Sequence, residues 1–416
     1  MSTKPKILII GTVDQRGGAA RIGWDIGETM RKRGYWVKYI VGYKQSNSPH
    51  VYELKRPWIT NLLDKLTGKN ITGYYKYLRS FFLANDIDFG ATQEIFSHPW
   101  YKQADIIHFH NLHGSYFRLS NLLRMGKEKK LIWTLHDMWA ISGNCVYTSD
   151  EKVWKQGHAA KTRLMEYPPM LWNNAKYLWN KKRQIYQTLK IKIVTPSKWL
   201  RDIVGDKSIL SNQSVSLIHN GIEVDTFSPY NQFTVRNELK LPHDKKIVVF
   251  VAQGGIHEPR KGWQYIDQII HNKEFKGAVF LCIGGGRSDT SDESNVKHIP
   301  YITNKKILAK YYAASDVFLF TSLAENCPLV VLESLSCGTP VVSFDVGGVK
   351  ELVTHKINGY ISKYLDIADL AHGLKYVLNL SSSDKSKMRK DNRNLIESKF
   401  STNIMADGYQ KLYESL

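Results

Sequence analysis

The chain predicts an α/β protein of two halves, each organised on a parallel sheet. Three observations carry this. At 416 residues it is long for a single core and suits two domains of about 200 residues each. Short apolar runs such as Ile7-Leu8-Ile9-Ile10 and Leu131-Ile132-Trp133-Thr134-Leu135 alternate with stretches of helical periodicity. The same strand, loop and helix order starts again at Lys246-Ile247-Val248-Val249-Phe250-Val251, so a second half begins there.

Composition sets the bounds. Hydrophobic content is 43%, and no run reaches the roughly 18 apolar residues that a membrane-spanning helix needs. Met1 to Lys6 leads straight into a strand rather than a signal peptide, so a cytoplasmic location is expected. Cys145, Cys282, Cys327 and Cys337 show no C-x-x-C spacing and read as small apolar residues. With 58 basic against 38 acidic residues the formal charge is +20, which attracts nucleic acid, an anionic membrane surface or phosphorylated substrates alike.

In the first half, the strand at Lys6–Ile10 is followed by a loop to Gly17-Gly18 and a helix from Ala19 to about Lys32 that Gly34 ends; Trp36–Val41 is the next strand. Ligands of parallel sheets collect at the carboxyl ends of the strands, which is where Gly17 and Gly18 fall. They do not complete G-x-G-x-x-G, so a dinucleotide fingerprint is rejected. Residues 54–85 and 176–192 interleave Lys and Arg with Trp, Tyr and Phe. That chemistry suits a lipid headgroup layer, a helix packed on its own domain, or a polyanion surface. His108, His110 and His113 form H-x-H-x2-H, with His108 and His110 on one strand face; no acidic or cysteine ligand is close, so a metal site is set aside. The buried strand at Leu131–Leu135 delivers His136 and Asp137 to the same carboxyl edge. Ile191–Thr195 leads into a helix capped by Ser197, and the polar segment Gly205–Ser214 is the expected hinge.

In the second half, the strand at Lys246–Ala252 leads through Gln253-Gly254-Gly255 to Arg260 and Lys261, two cations on a loop that opens a helix. Ala278–Ile283 with Gly284-Gly285-Gly286 is the next strand and turn. Asp316–Phe320 then runs into Glu325-Asn326-Cys327-Pro328 and a helix with Pro328 at its first position, stopped by Gly338 and Pro340. The amides of Leu329 and Val330 lack intrahelical acceptors and offer a phosphate seat, with Glu325 before it and Glu333 within the helix. A helical stretch at Asp369–Leu380, a polar break at Ser381-Ser382-Ser383 and a closing helix at Met405–Leu416 complete the chain.

Two carboxylates spaced E-x7-E, Glu325 and Glu333, followed by Gly338-Thr339-Pro340-Val341-Val342-Ser343 and Gly347-Gly348-Val349-Lys350-Glu351, resemble the retaining GT-B glycosyltransferases of family four. Thr134 to Tyr147 resembles a branch that builds bacterial surface polysaccharides, although the further cysteines frequent in that branch are absent here. His219 stands where proline is more usual. The resemblance implies a GT-B fold of two Rossmann-like domains facing across a cleft. Residues 1–205, with a closing helix 400–416 that crosses back, would bind acceptor; residues 206–399 would bind the nucleotide sugar. It implies His136, Glu325, Arg260 and Lys261 as catalytic residues, with His136 near the donor sugar's 6-position. Gly17, Gly18, Asn326, Cys327, Leu329, Val330 and Glu333 would hold the donor, Glu333 at the ribose.

The expected reaction moves a hexose-type sugar with retention from a nucleotide sugar, UDP before GDP, to a saccharide or lipid-linked saccharide. No cofactor and no metal are expected, since the only D-x-D, Asp86-Ile87-Asp88, falls in the basic aromatic insertion. An anionic membrane surface is an expected partner, at the inner face of the cell membrane; nucleic acid is not. Alternatives are a nucleotide-sugar epimerase on the same fold, or a basic protein that binds membrane or nucleic acid.

Overall fold

A computed structural model describes residues 4–55, 66–67, 78–88, 90–147, 164–206, 208–251, 258–284 and 295–416. Most of the basic aromatic segment 54–85, the stretch 148–163, Gln253-Gly254-Gly255 and Gly285-Gly286 lie outside them. The chain divides into two compact units, Met1–His219 with Met405–Leu416, and Asn220–Ile404.

The first unit holds a parallel sheet built from β1 (Ile7–Val13), β2 (Val37–Tyr43), β3 (Val51–Glu53), β4 (Ile106–Phe109), β5 (Lys130–Thr134), β6 (Lys192–Thr195) and β7 (Ser214–Leu217). Their order is β3-β2-β1-β4-β5-β6-β7. The central strands are buried on both faces, which is why they read as unbroken apolar runs. The helix Gly18–Lys32 buries Ile22, Ile26 and Met30 at four-residue spacing against that sheet. It can approach β2 because residue 27 is glycine: a Cβ there would lie 1.9 Å from the Tyr39 hydroxyl.

The expected domain boundary at 205 moves to His219. The expected hinge, Gly205–Ser214, lies inside the first unit: it joins the helix Lys198–Gly205 to β7, which pairs in parallel with β6. The last helix, Thr402–Glu414, buries Met405, Ala406, Tyr409 and Tyr413, and from Met405 onward belongs to the first unit. Arg33 reaches Asp407 at 2.7 Å, and the Tyr35 hydroxyl bonds Glu414.

The second unit is a parallel sheet of β8 (Ile247–Val251), β9 (Val279–Ile283), β10 (Val296–Ile299), β11 (Val317–Phe320), β12 (Val341–Phe344) and β13 (Gly359–Ser362), in the order β10-β9-β8-β11-β12-β13. The polar Ser381-Ser382-Ser383 is a start rather than a break. Ser381 Oγ accepts the Asp384 amide at 3.1 Å and caps an 18-residue helix, Ser382–Lys399. That helix buries only Met388, Asn392 and Ile396, a stripe too narrow to mark it in the sequence. No helix among the described residues is long and apolar enough to cross a membrane.

A charged knot closes the amino end of this sheet. Asp316, 3% exposed, accepts the Ile247 amide at 2.7 Å and Arg236 at 2.9 Å, and contacts Lys385. Burial alone would raise its carboxyl, but Lys385, the Ile247 amide and Arg236 together hold it below the ordinary carboxylate value. The folded value is depressed, so the stabilisation is present above the unfolded pKa of about 3.9 and is lost as pH falls below it. Asp316→Ala should cost about 3–5 kcal/mol, because the buried Arg236 loses its carboxylate partner and the half-buried Lys385 loses its contact. The midpoint of urea unfolding at pH 7 measures this, and the variant should show a smaller loss of stability below pH 4.

Candidate functional site

At the carboxyl edge of the first sheet, three loops bring together the residues that the sequence singles out. β1 leads to Gly17, whose φ of +94° suits glycine, and to the start of the helix at Gly18. A Cβ at either glycine would meet nothing within 4 Å, so both backbones are approachable.

β4 and β5 run in parallel with His108 opposite Ile132, which carries His110 to the level of Thr134 and close to His136. His110 Nδ1 lies 2.8 Å from His136 Nε2. His108 is held by two hydroxyls, Tyr413 at Nδ1 and Thr134 at Nε2, both at 2.8 Å, and Thr134 Oγ1 meets the Tyr409 hydroxyl at 2.8 Å. Burial pushes the His108 imidazolium down to about 3, helped by His136, and His110 well below the usual histidine value. Burial also takes His136 down to about 4, against the pull of Asp137. All three rings are therefore uncharged at neutral pH.

His113 goes elsewhere. Its Nε2 meets Asp137 Oδ2 at 3.0 Å and its Nδ1 the Tyr167 hydroxyl at 3.2 Å. Burial works against ionisation of Asp137, but His113 and the Trp139 amide keep it a carboxylate. The three histidines of H-x-H-x2-H thus turn to three different sets of partners. Among the described residues no group of three His, Cys, Asp or Glu side chains is placed to hold a metal ion. Asp86, half of the formal D-x-D, is buried and accepts Trp139 Nε1 at 2.8 Å.

In the second unit the turn Pro259–Lys261 follows β8, and Glu325 lies in the loop after β11. The two segments are tied by the Leu323 amide on Arg260 O at 2.8 Å and by Thr321 Oγ1 on Lys261 O at 3.0 Å. Gly262, at φ +71°, lets the turn pass Thr321, since a Cβ there would lie 2.1 Å from its carbonyl oxygen. Lys261 Nζ reaches Glu325 Oε1 at 2.5 Å, both side chains retaining some exposure. Arg260 is more open and lies 3.8 Å from Glu258.

The helix after Glu325 runs from Leu329 to Ser336, so Pro328 is its N-cap rather than its first residue. The amides of Val331 and Leu332 reach back to Pro328 O, leaving those of Leu329 and Val330 ahead of the ladder, half-buried. Asn326 and Cys327 are buried, and the Cys327 carbonyl accepts Asn220 Nδ2 at 3.0 Å. Burial pushes the Cys327 thiol up to about 12. Glu333 points inward, 3% exposed, with the Tyr312 hydroxyl 3.2 Å from Oε2.

Sequence reasoning saw Gly347-Gly348 as a motif but not its reason. A Cβ on Gly347 would lie 1.6 Å from the Glu325 carbonyl oxygen, and its φ is +53°. The glycine therefore fixes how closely the β12 loop backs the Glu325 loop. Asn220 and Thr321 were also missed, since both act through backbone carbonyls that no spacing announces.

The family described as Glycosyltransferase Family 4 matches residues 16–226, just over half of the chain, and Glycosyl transferases group 1 matches 245–379. The putative colanic acid biosynthesis glycosyl transferase WcaC of Escherichia coli (strain K12) is 24% identical over 348 residues, covering 81% of this chain and 82% of its own. Among solved structures, sucrose-phosphate synthase from Thermosynechococcus elongatus superposes with a TM-score of 0.69 at 18% identity, over 99% of this chain and 98% of its own. Anabaena HepE in complex with UDP-glucose gives 0.64 at 15%, over 99% and 100%. These likenesses identify the GT-B fold.

Gly347→Ala should lower stability by about 1–3 kcal/mol through backbone strain and displacement of the Glu325 loop. Gly277→Ala, where a Cβ meets nothing within 4 Å, serves as the control and should change little. Thermal unfolding of the two variants makes the comparison.

Proposed function

The chain belongs to glycosyltransferase family 4, and on that premise we propose that it is a retaining hexosyltransferase acting on a nucleotide sugar in surface-polysaccharide synthesis. The donor is a UDP sugar before a GDP sugar, and the acceptor a saccharide or lipid-linked saccharide. The carrying observation is the Lys261–Glu325 pair, held by close glycine contacts in the loop that opens the helix Leu329–Ser336.

A nucleotide sugar needs its departing diphosphate neutralised, and Arg260, Lys261 and the Leu329 and Val330 amides offer fixed positive charge without a divalent metal. Glu325 and His136 hold sugar hydroxyls, Glu333 lies near the ribose, and Gly17-Gly18 lets the donor approach the backbone. As the anomeric carbon–diphosphate bond breaks, the acceptor oxygen bonds that carbon on the same face, and its proton passes to the leaving phosphate oxygen. A front-face route suits Glu325, which is already committed to Lys261. The name of the colanic acid relative supports the polysaccharide assignment, and the HepE complex supports UDP over GDP.

A screen with UDP-glucose, UDP-galactose, ADP-glucose and GDP-mannose tests the donor. A sugar nucleotide at 100 times its dissociation constant should stabilise the protein by about 2.7 kcal/mol. Lys261→Ala should lower transfer on the order of 100- to 1000-fold. A protein indifferent to all four donors, or full turnover without Lys261, would sink the reading. Isomerised donor sugar in the absence of acceptor would point to an epimerase instead.

Membrane association is supported by a separate observation in the first unit. Phe82, Leu83, Leu171 and Trp172 are each half exposed or more. They lie together, because the Leu171 amide bonds Phe81 O at 3.0 Å and Trp172 Nε1 bonds Phe82 O at 3.2 Å. Exposed Tyr177 and Lys176 follow on the next helix, and the chain carries +20. An aromatic patch with a basic surround suits the cytoplasmic headgroup layer of the cell membrane. Vesicles containing phosphatidylglycerol should sediment the protein where pure phosphatidylcholine does not. Phe82→Ser with Trp172→Ser should release most of it; unchanged sedimentation would exclude this patch.

A further inference from the structure

His110 and His136 share one hydrogen bond, with ring planes 18° apart and centroids 5.1 Å apart. At an N···N distance of 2.8 Å this is an edge-to-edge pair, with the bond near the common plane of the rings. Between two uncharged imidazoles, one nitrogen must donate and the other accept. The far side of His110 makes the choice. Its Nε2 is buried and no described residue offers it a hydrogen bond. It faces the helix Gly18–Lys32, where a Cβ on Gly23 would lie 3.1 Å away. A buried N–H without an acceptor is rarer than an unused lone pair. The bare nitrogen is therefore Nε2, and the proton of His110 sits on Nδ1.

We propose that His110 is a positioning residue that donates from Nδ1 to His136 Nε2 and thereby fixes His136 as an Nδ1–H donor toward a ligand oxygen. The neutral histidine side chain in water favours the opposite tautomer, with its proton on Nε2, so the arrangement is one the protein imposes. His108 supports it from behind. Both its nitrogens are occupied by hydroxyls, and its ring centroid lies 4.4 Å from that of His110. With Nδ1 protonated, His136 serves a sugar oxygen as a hydrogen-bond donor and not as a general base at that atom. The ligand-facing role rests on the site proposed above; the tautomer does not.

Long-range 1H–15N correlation of the histidine side chains near pH 7 reads the tautomer without substrate, with the His136 signals assigned by their loss in His136→Gln. Wild type should carry the His136 proton on Nδ1. His110→Leu should return it to Nε2, while His110→Asn, whose amide donates from a similar place, should retain Nδ1–H. Consumption of UDP-glucose, UDP-galactose and GDP-mannose reads the consequence. His110→Leu should lower kcat/KM on the order of 10- to 100-fold, with His110→Asn restoring most of it. A His136 protonated on Nε2 in the wild type overturns the proposal. So does equal impairment of both variants in step with their thermal stability, which would mark a packing role alone. If His136→Gln consumes donor normally, the site reading fails and takes the ligand-facing role with it, and the spectrum still decides the tautomer.

Discussion

A parallel strand buried on both faces must exhaust its hydrogen bonds on its neighbours, so chemistry in such a sheet is confined to the ends of the strands. Both units obey this constraint in the same way. At the amino edge, an aspartate just ahead of a central strand takes the amide that leads into the neighbouring strand: Asp105 accepts Lys6 N at 2.8 Å, and Asp316 accepts Ile247 N at 2.7 Å. Each pins the start of a strand pair, β1 with β4 and β8 with β11. With the starts pinned, the level at which each strand ends is fixed as well. Gly17, His110 and His136 in one unit, and Lys261 and Glu325 in the other, stand at those ends.

The two edges use opposite electrostatics. In the first unit burial strips the histidines of charge, and they interact through directed hydrogen bonds that depend on which nitrogen holds the proton. In the second unit Lys261 and Glu325 keep partial access to water and meet as a charged pair. A charged pair is tolerant of small displacement; a hydrogen bond between rings is not. This difference matches the tasks proposed for them, since a diphosphate is held by fixed charge and a sugar by the placement of its hydroxyls.

Much of this was legible in the sequence because buried parallel strands announce themselves as apolar runs. The glycine and carboxylate motifs likewise sit where such runs end. What was lost depended on register or on backbone carbonyls. His110 and His136 are 26 positions apart, and only the β4–β5 pairing brings their rings together. Gly347 meets Glu325 through a carbonyl, and Ser381 is a cap whose helix is almost wholly polar. The boundary expected at 205 differs from the unit boundary at His219 because the chain, after the polar stretch Gly205–Ser214, returns to the first sheet as its edge strand β7.

The orphaned Nε2 of His110 shows what the first edge gives up for its geometry. Leaving a buried polar atom unpaired costs about 1–3 kcal/mol, and a hydroxyl-bearing residue on the facing helix would remove that cost. Such a residue would need a Cβ at position 23, which would lie 3.1–3.3 Å from three atoms of the His110 ring. Any side chain there therefore moves the ring whose lone pair it would satisfy. Glycine leaves the ring in plane with His136 and the lone pair unmet. His108, one position back on the same strand face, has both nitrogens satisfied by hydroxyls from β5 and the closing helix. At His110 the packing of the facing helix denies that second partner, and the unmet Nε2 is what leaves its proton on Nδ1 and so sets the proton position proposed for His136.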